Sequence, residues 1–184
     1  MKNGEGQYGN WRVAVIPTDT VYGIVARVGD RDAIDRLYAI RNRDTEKGCI
    51  VLISDIAELE KWQDYVSIPE FHREYVESHW PGPYTFELLE QVPLRNHPPE
   101  LYRGGQASSF RVPDDPWLRA FIHEHGPIIA PSANPAGMPP ATTCAMAREY
   151  FGDSVDMYID RGERDNKPSK IISLLGDEIE IIRE

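Results

Sequence analysis

The sequence predicts an α/β fold built on a mixed sheet, and three observations carry that expectation. Short apolar runs of strand character interleave along the chain with segments whose apolar residues recur at helical spacing. Prolines and small polar triplets fall repeatedly at the ends of the apolar runs, which is where open α/β sheets place their ligand sites. Finally, 184 residues that are 41% hydrophobic and 27% charged have the size and balance of one ordinary globular domain with a substantial core. Residues 11–184 are therefore read as a single domain behind a flexible N-terminus at residues 1–10.

The elements follow in order. Trp11 to Ile16 reads as a strand that Pro17 stops, and Thr18-Asp19-Thr20 interrupts the core segment before Val21 to Val25 resumes it. Asp30 caps a helix whose buried stripe is Ala33, Ile34, Leu37, Tyr38 and Ile40, ending near Arg41. The next residues carry Arg41, Arg43 and Lys47 and lead into the buried-strand run Cys49 to Ile53. Cations after a helix are ordinarily explained by its dipole; between a helix and a core strand they also suit a phosphate group. Residues 54–58 start another helix with Ile56, Leu59 and Trp62 inward, and residues 69–79 form a further one anchored by Phe71, Tyr75 and Val76.

Trp80-Pro81-Gly82-Pro83 turns sharply into an alternating strand at 84–89. After a loop at 91–105, residues 107–113 read as a strand ending at proline, with Arg111 near its end. Asp114-Asp115-Pro116 opens a helix through Trp117, Leu118, Phe121 and Ile122, closed by Gly126. The apolar run Ile128 to Ala130 breaks into Ser132-Ala133-Asn134 and a proline- and glycine-rich loop; taken alone, that triplet is better explained by a turn than by a ligand site. Thr142 or Thr143 caps a helix through Phe151, residues 155–159 read as a strand, and residues 160–168 as a charged loop. Residues 169–175 and 178–182, joined at Gly176-Asp177, read as a terminal hairpin.

Several function classes are disfavoured. A net charge of −10 argues against a broad basic surface for nucleic acid. Cys49 and Cys144 are too few for a disulfide framework and read as buried thiols. The start has no secretory signal and no apolar run reaches membrane-spanning length, so the expected location is cytoplasmic, with no membrane partner. There is no P-loop, dinucleotide fingerprint, nucleophile elbow or zinc-protease helix. His123 and His125 point to different sides of their helix, so no metal site is expected. Ser132 has no local base in the sequence and reads as a ligand contact rather than a nucleophile.

Six short motifs sharpen this. Pro17-Thr18-Asp19-Thr20-Val21-Tyr22-Gly23, Arg41-Asn42-Arg43 with Lys47-Gly48, Trp80-Pro81-Gly82-Pro83 with Thr85, Arg111-Val112-Pro113, Pro131-Ser132-Ala133-Asn134 with Gly137, and Lys167-Pro168-Ser169 with Arg183 occur together. In order and spacing they resemble the YrdC-like family, over nearly the whole chain from about residue 11. The resemblance implies a twisted open mixed sheet with helices around a deep cationic cavity. It implies an enzyme that joins L-threonine, bicarbonate or carbon dioxide, and ATP into threonylcarbamoyl-AMP and pyrophosphate, with Mg²⁺ accompanying the ATP. A downstream threonylcarbamoyl transferase complex would use the product on tRNA, and direct tRNA contact is left open.

By the same resemblance Arg41, Arg43, Lys47, Ser132, Asn134 and Arg183 would contact nucleotide, and Thr18, Thr20, Arg111 and Ser169 would hold threonine. Arg43, Arg111, Ser132 and Asn134 would carry the catalysis. The chain departs from the family pattern at Arg41, where relatives often have lysine, at Asp44, where proline is common, and at Leu52, where some have histidine. The alternatives within reach of these residues are an RNA-binding accessory protein of the same fold and a related carbamoyl-adenylate-forming module.

Overall fold

The computed structural model describes residues 8–44, 48–92 and 108–184. β1 (Val13–Pro17) and β2 (Tyr22–Arg27) form an antiparallel hairpin around Thr18–Val21. The turn holds because the Thr18 hydroxyl donates to the Val21 carbonyl at 2.6 Å and the Thr20 N–H donates back to Thr18 Oγ1 at 3.1 Å. Asp30 caps α1 (Arg31–Ile40) by accepting from the Ala33 N–H, the predicted start.

β3 (Ile50–Leu52) follows. Where the sequence suggested a helix from residue 54, the chain forms a 3₁₀ run, Ile56–Trp62, capped by Asp55 and burying only Trp62. A second 3₁₀ turn, Glu70–His72, precedes α2 (Arg73–His79), with β4 (Val66–Ser67) between them in sequence and the first 3₁₀ run. The expected strand at 84–89 divides into β5 (Tyr84–Glu87) and β6 (Leu89–Glu90), which join different sheets. Gly82 in the preceding turn is required by crowding, since a Cβ there would strike the His79 carbonyl oxygen.

β7 (Ser109–Arg111) is followed by α3 (Pro116–His125), capped by Asp115 and ended at Gly126 with φ of 87°. β8 (Ile128–Ile129), α4 (Cys144–Phe151) with Thr143 as its cap, β9 (Met157–Tyr158), β10 (Lys170–Ser173) and β11 (Glu180–Arg183) complete the order. The last two form the expected antiparallel hairpin.

Among the described residues the main sheet has nine strands in the order β11-β10-β5-β7-β3-β8-β2-β1-β9, and β4 pairs with β6 apart from it. It is mixed: β1–β9, β3–β7 and β5–β10 are parallel and the remaining neighbours antiparallel. Strand alternation sends Val13 and Val15 into one core, against α1 and α4, and Ala14 and Ile16 into another, against Leu118, Phe121 and Ile122 of α3. Burying each of those three α3 side chains contributes about 1.5–3 kcal/mol, enough to pin α3 over one half of its face. Packing begins slightly before residue 11, because Tyr8 meets Trp117, Phe121 and His125 edge-on.

Phe86, Phe110 and Ile172 turn into the first core, so their neighbours along β5, β7 and β10 turn to the face that α3 leaves uncovered. That uncovered half is where the cavity lies.

Candidate active site

A cavity of about 610 Å³ sits over β3, β5, β7, β10 and β11 and is bounded by the Thr18–Gly23 hairpin and by Ala130–Ser132. It gathers Thr18, Thr20, Arg43, Arg111, Ser132, Ser169 and Arg183, residues predicted from separate stretches of the chain. Leu52 is also on its wall. Lys47 lies outside the described residues. Arg41 and Asn134 do not line the cavity and are buried behind its wall.

The end of α1 explains the division between the two arginines. The Asn42 N–H donates to Ala39 O and the Arg43 N–H to Tyr38 O, with Asn42 at φ of 49°, a left-handed conformation that asparagine tolerates better than most residues. This tight turn aims Arg41 and Arg43 apart. Arg43 reaches the cavity, donating to Gly48 O at 2.7 Å with its guanidinium 6.0 Å from the Tyr38 ring centre. Arg41 points inward, donating from Nε to Asn134 O at 2.9 Å and from Nη2 to Asn134 Oδ1 at 3.3 Å. Burial, with the Arg43 charge adding to it, pushes Arg41 down to about 10, which still leaves it protonated at neutral pH.

Asn134 is fully engaged in shaping its own loop. Its Nδ2 donates to Pro135 O at 3.0 Å and Met138 O at 2.7 Å, while its Oδ1 accepts from the Ser132 hydroxyl at 2.7 Å. A bridge between Gly23 and Ser132 fastens the triplet to β2. Ser132 is thus presented to the cavity by a network that begins at Arg41.

Arg111 is 4% exposed and rests against the β1–β2 hairpin. Its Nη2 lies 3.2 Å from Asp19 Oδ1 and its Nη1 donates to Thr20 Oγ1 at 3.4 Å. Burial lowers its proton affinity first, Asp19 opposes this and Arg183 adds to it. Arg183 donates from Nε and Nη2 to Ser169 O at 3.1 and 2.7 Å, and burial lowers its proton affinity too. Ser169 in turn shares a 2.8 Å hydrogen bond with Thr85.

The Nε atoms of Arg43 and Arg111 are buried with no protein partner among the described residues. Such donors on a cavity wall have unused capacity for an anion. Two backbone contacts from the charged loop steady the threonine hairpin: Arg164 Nε donates to Thr18 O and Asn166 Nδ2 to Asp19 O, each at 3.0 Å.

Two residues escaped the sequence reading. Asp19 was visible only as part of a motif; its ion pair with Arg111 spans 92 positions and no local pattern signals it. Glu87 lines the cavity, and the signal was available, because strand alternation puts it on the face of Thr85. Burial, with Glu180 adding to it, raises the Glu87 carboxyl above its ordinary value, while a Ser173 hydrogen bond works against this.

Comparison with known proteins bears on this geometry. The family model Sua5_yciO_yrdC, described as telomere recombination, matches residues 10–184. A threonylcarbamoyl-AMP synthase of Marinobacter nauticus is 32% identical, over 89% of this chain and 85% of its own. One from Idiomarina loihiensis is 33% identical, over 91% and 89%. Among solved structures, P. abyssi Sua5 complexed with L-threonine superposes with a TM-score of 0.81 at 28% identity over 94% of this chain. This chain spans only 50% of that one. E. coli YciO gives a TM-score of 0.77 at 25% identity, over 95% of this chain and 83% of its own.

Proposed function

The chain belongs to the Sua5/YciO/YrdC family, and on that premise we propose that it is an L-threonylcarbamoyladenylate synthase. It combines L-threonine, bicarbonate or carbon dioxide, and ATP, and releases threonylcarbamoyl-AMP and pyrophosphate. The observation that carries this reading is the convergence of Arg43, Arg111 and Arg183, with Thr20, Ser132 and Ser169, on one cavity. Its relatives named threonylcarbamoyl-AMP synthase match most of the chain, and the threonine-bound Sua5 shares the fold.

The chemistry asks the protein to align anions and to balance charge on phosphate; it needs no covalent enzyme intermediate. Threonine's ammonium gives up a proton to solvent, the free amine adds to carbon dioxide and releases a second proton as it becomes a carbamate, and a carbamate oxygen then attacks the α-phosphorus as pyrophosphate leaves. Arg111, backed by Asp19 and Thr20, faces the threonine carboxylate, with Ser169 and the Thr18–Thr20 hairpin completing that end. Arg43, Arg183 and the Ser132 hydroxyl face the nucleotide phosphates, and Lys47 is assigned to the same anion. Arg41 and Asn134 act behind the wall, holding Ser132 in place. Removing one preorganised donor from such a site typically costs about 10²–10³ in kcat.

No group of three His, Cys, Asp or Glu is placed to hold a metal ion among the described residues. On this reading Mg²⁺ is held by the phosphates of ATP rather than by a protein cage. The product is suited to a separate transferase that places the threonylcarbamoyl group on tRNA. No helix among the described residues is long and apolar enough to cross a membrane.

The test is pyrophosphate release from purified protein with ATP, bicarbonate, Mg²⁺ and labelled threonine. Threonine-dependent release with labelled threonylcarbamoyl-AMP is expected; folded protein that releases none refutes the reading.

A further inference from the structure

We propose that Glu87 is the subsite for the ammonium group of the amino-acid substrate and so sets the requirement for an amine. The inference rests on the synthase reading and deepens it. Glu87 is the one carboxylate among the described residues that line the cavity, set against three arginines on the same wall. A cavity built only for phosphates and carboxylates gains nothing from an acid there, since it would repel each of those ligands. Mg²⁺ is assigned to the phosphates of ATP, so of the substrates themselves threonine alone carries a cationic group.

The strand register makes Glu87 and Arg111 near neighbours on one face of the sheet. Glu87 on β5 stands opposite Ser109 on β7 and Ser173 on β10, in adjacent strands of one sheet. Arg111 lies two residues beyond Ser109, on the same face, and is therefore a diagonal neighbour of Glu87. Diagonal positions are about 7–8 Å apart at Cα, and the amine nitrogen and carboxylate carbon of an α-amino acid are about 2.5 Å apart by covalent geometry. Two long side chains from such positions bracket one amino-acid backbone, its carboxylate at Arg111 and its ammonium at Glu87. Both strand neighbours of Glu87 are small serines, which leave room for this.

The buried Arg111 Nε, without a protein partner among the described residues, supplies the independent sign of a ligand at the carboxylate end. Glu180 on β11 is the charge that bears on Glu87, and the guanidiniums of Arg43, Arg111 and Arg183 line the same cavity. Burial, with Glu180 adding to it, raises the proton affinity of Glu87, and a cationic ligand group would lower it on binding.

The experiment is calorimetric titration of the full chain and of Glu87→Gln, with Mg²⁺ and a non-hydrolysable ATP analogue present. The two ligands are L-threonine and 3-hydroxybutanoate, which is threonine without its amine. Glu87→Gln is expected to weaken threonine by about 10- to 100-fold, the loss of one charge-assisted contact, and to leave 3-hydroxybutanoate within about twofold. A variant that weakens both ligands equally, or neither, overturns the assignment. Glu87→Ser, matching the flanking serines, repeats the comparison should the glutamine variant fold poorly. Pyrophosphate release by the parent chain separates the two levels: without it the synthase reading fails, and with it an unselective Glu87 variant defeats this subsite alone.

Discussion

Replacing Arg41 with methionine tests whether this buried cation shapes the site or binds nucleotide itself. Methionine keeps most of the volume and removes both donors to Asn134, at 2.9 and 3.3 Å. A hydrogen bond from a charged group contributes about 1.5–3 kcal/mol, and an orphaned buried carbonyl costs about 1–3 kcal/mol more. Against this stands the penalty of burying the cation. Arg41 is pushed down to about 10, which corresponds to a cost on the order of 3 kcal/mol for keeping it charged. The variant is relieved of that cost, so with two bonds lost and one carbonyl orphaned the net loss is about 1–6 kcal/mol. In a protein of 184 residues this lowers Tm by about 2–24 °C. Thermal denaturation and steady-state kinetics read the two consequences: a lower Tm, and a kcat reduced about 10-fold or more as Ser132 loses its support. Arg41→Lys, which keeps the charge but only a point donor, falls between. An unchanged Tm with KM for ATP raised more than about tenfold would mean that Arg41 touches nucleotide, and the buttress argument fails.

Three further outcomes are expected at other positions. Arg111→Ala leaves Asp19 buried and unpaired and should destabilise by about 3–5 kcal/mol in urea unfolding, while Arg111→Ala combined with Asp19→Ala recovers part of that loss; a full additive loss refutes the coupling. Burial acts to raise the Asp156 carboxyl, but the Val13 and Arg12 N–H groups and Arg36 outweigh it and hold the group below its ordinary value. Its contribution is therefore complete above about pH 3.9 and is lost as pH falls through the lower folded value, so Asp156→Asn should lower stability at pH 7 and flatten the acid limb of a Tm-against-pH curve. Activity should track the concentration of the Mg²⁺–ATP complex, whereas Mg²⁺ alone should leave the Tm of nucleotide-free protein unchanged; a metal-induced rise in Tm points to a protein site instead.

Much of the architecture was legible because local chemistry decided it. Asp30, Asp115 and Thr143 cap helices as their side chains dictate, and Gly176-Asp177 joins the terminal hairpin. The segment from Ile56 was less legible: its apolar residues suit a helix, yet the chain buries only Trp62 and settles into 3₁₀ turns, since so small an apolar face rewards no longer helix. The strand at 84–89 breaks because Phe86 and Leu89 serve different sheets, which only tertiary pairing reveals.

The site was legible in its residue types and illegible in its division of labour. Arg41 and Arg43 are two positions apart and look alike in sequence, but the left-handed turn at Asn42 turns one to the loop and the other to the cavity. Asn134 looks like a ligand group and spends its donors on Pro135 and Met138. Both cases have one physical cause: a short, proline-framed loop cannot satisfy its own buried polar groups by secondary structure, so nearby side chains must do it.

That same requirement reconciles an acidic chain with a cationic site. The net charge of −10 belongs to the whole molecule, whereas the three cavity arginines are drawn from three places: the end of α1, β7 and β11. Each is anchored by a local contact: Gly48 O for Arg43, Asp19 for Arg111 and Ser169 O for Arg183. None of these contacts uses every donor of its guanidinium, so the cationic character of the cavity comes from residues the fold brings together rather than from composition. An overall charge argues against a broad basic surface, but it carries no information about a pocket whose charges are assembled only by the fold.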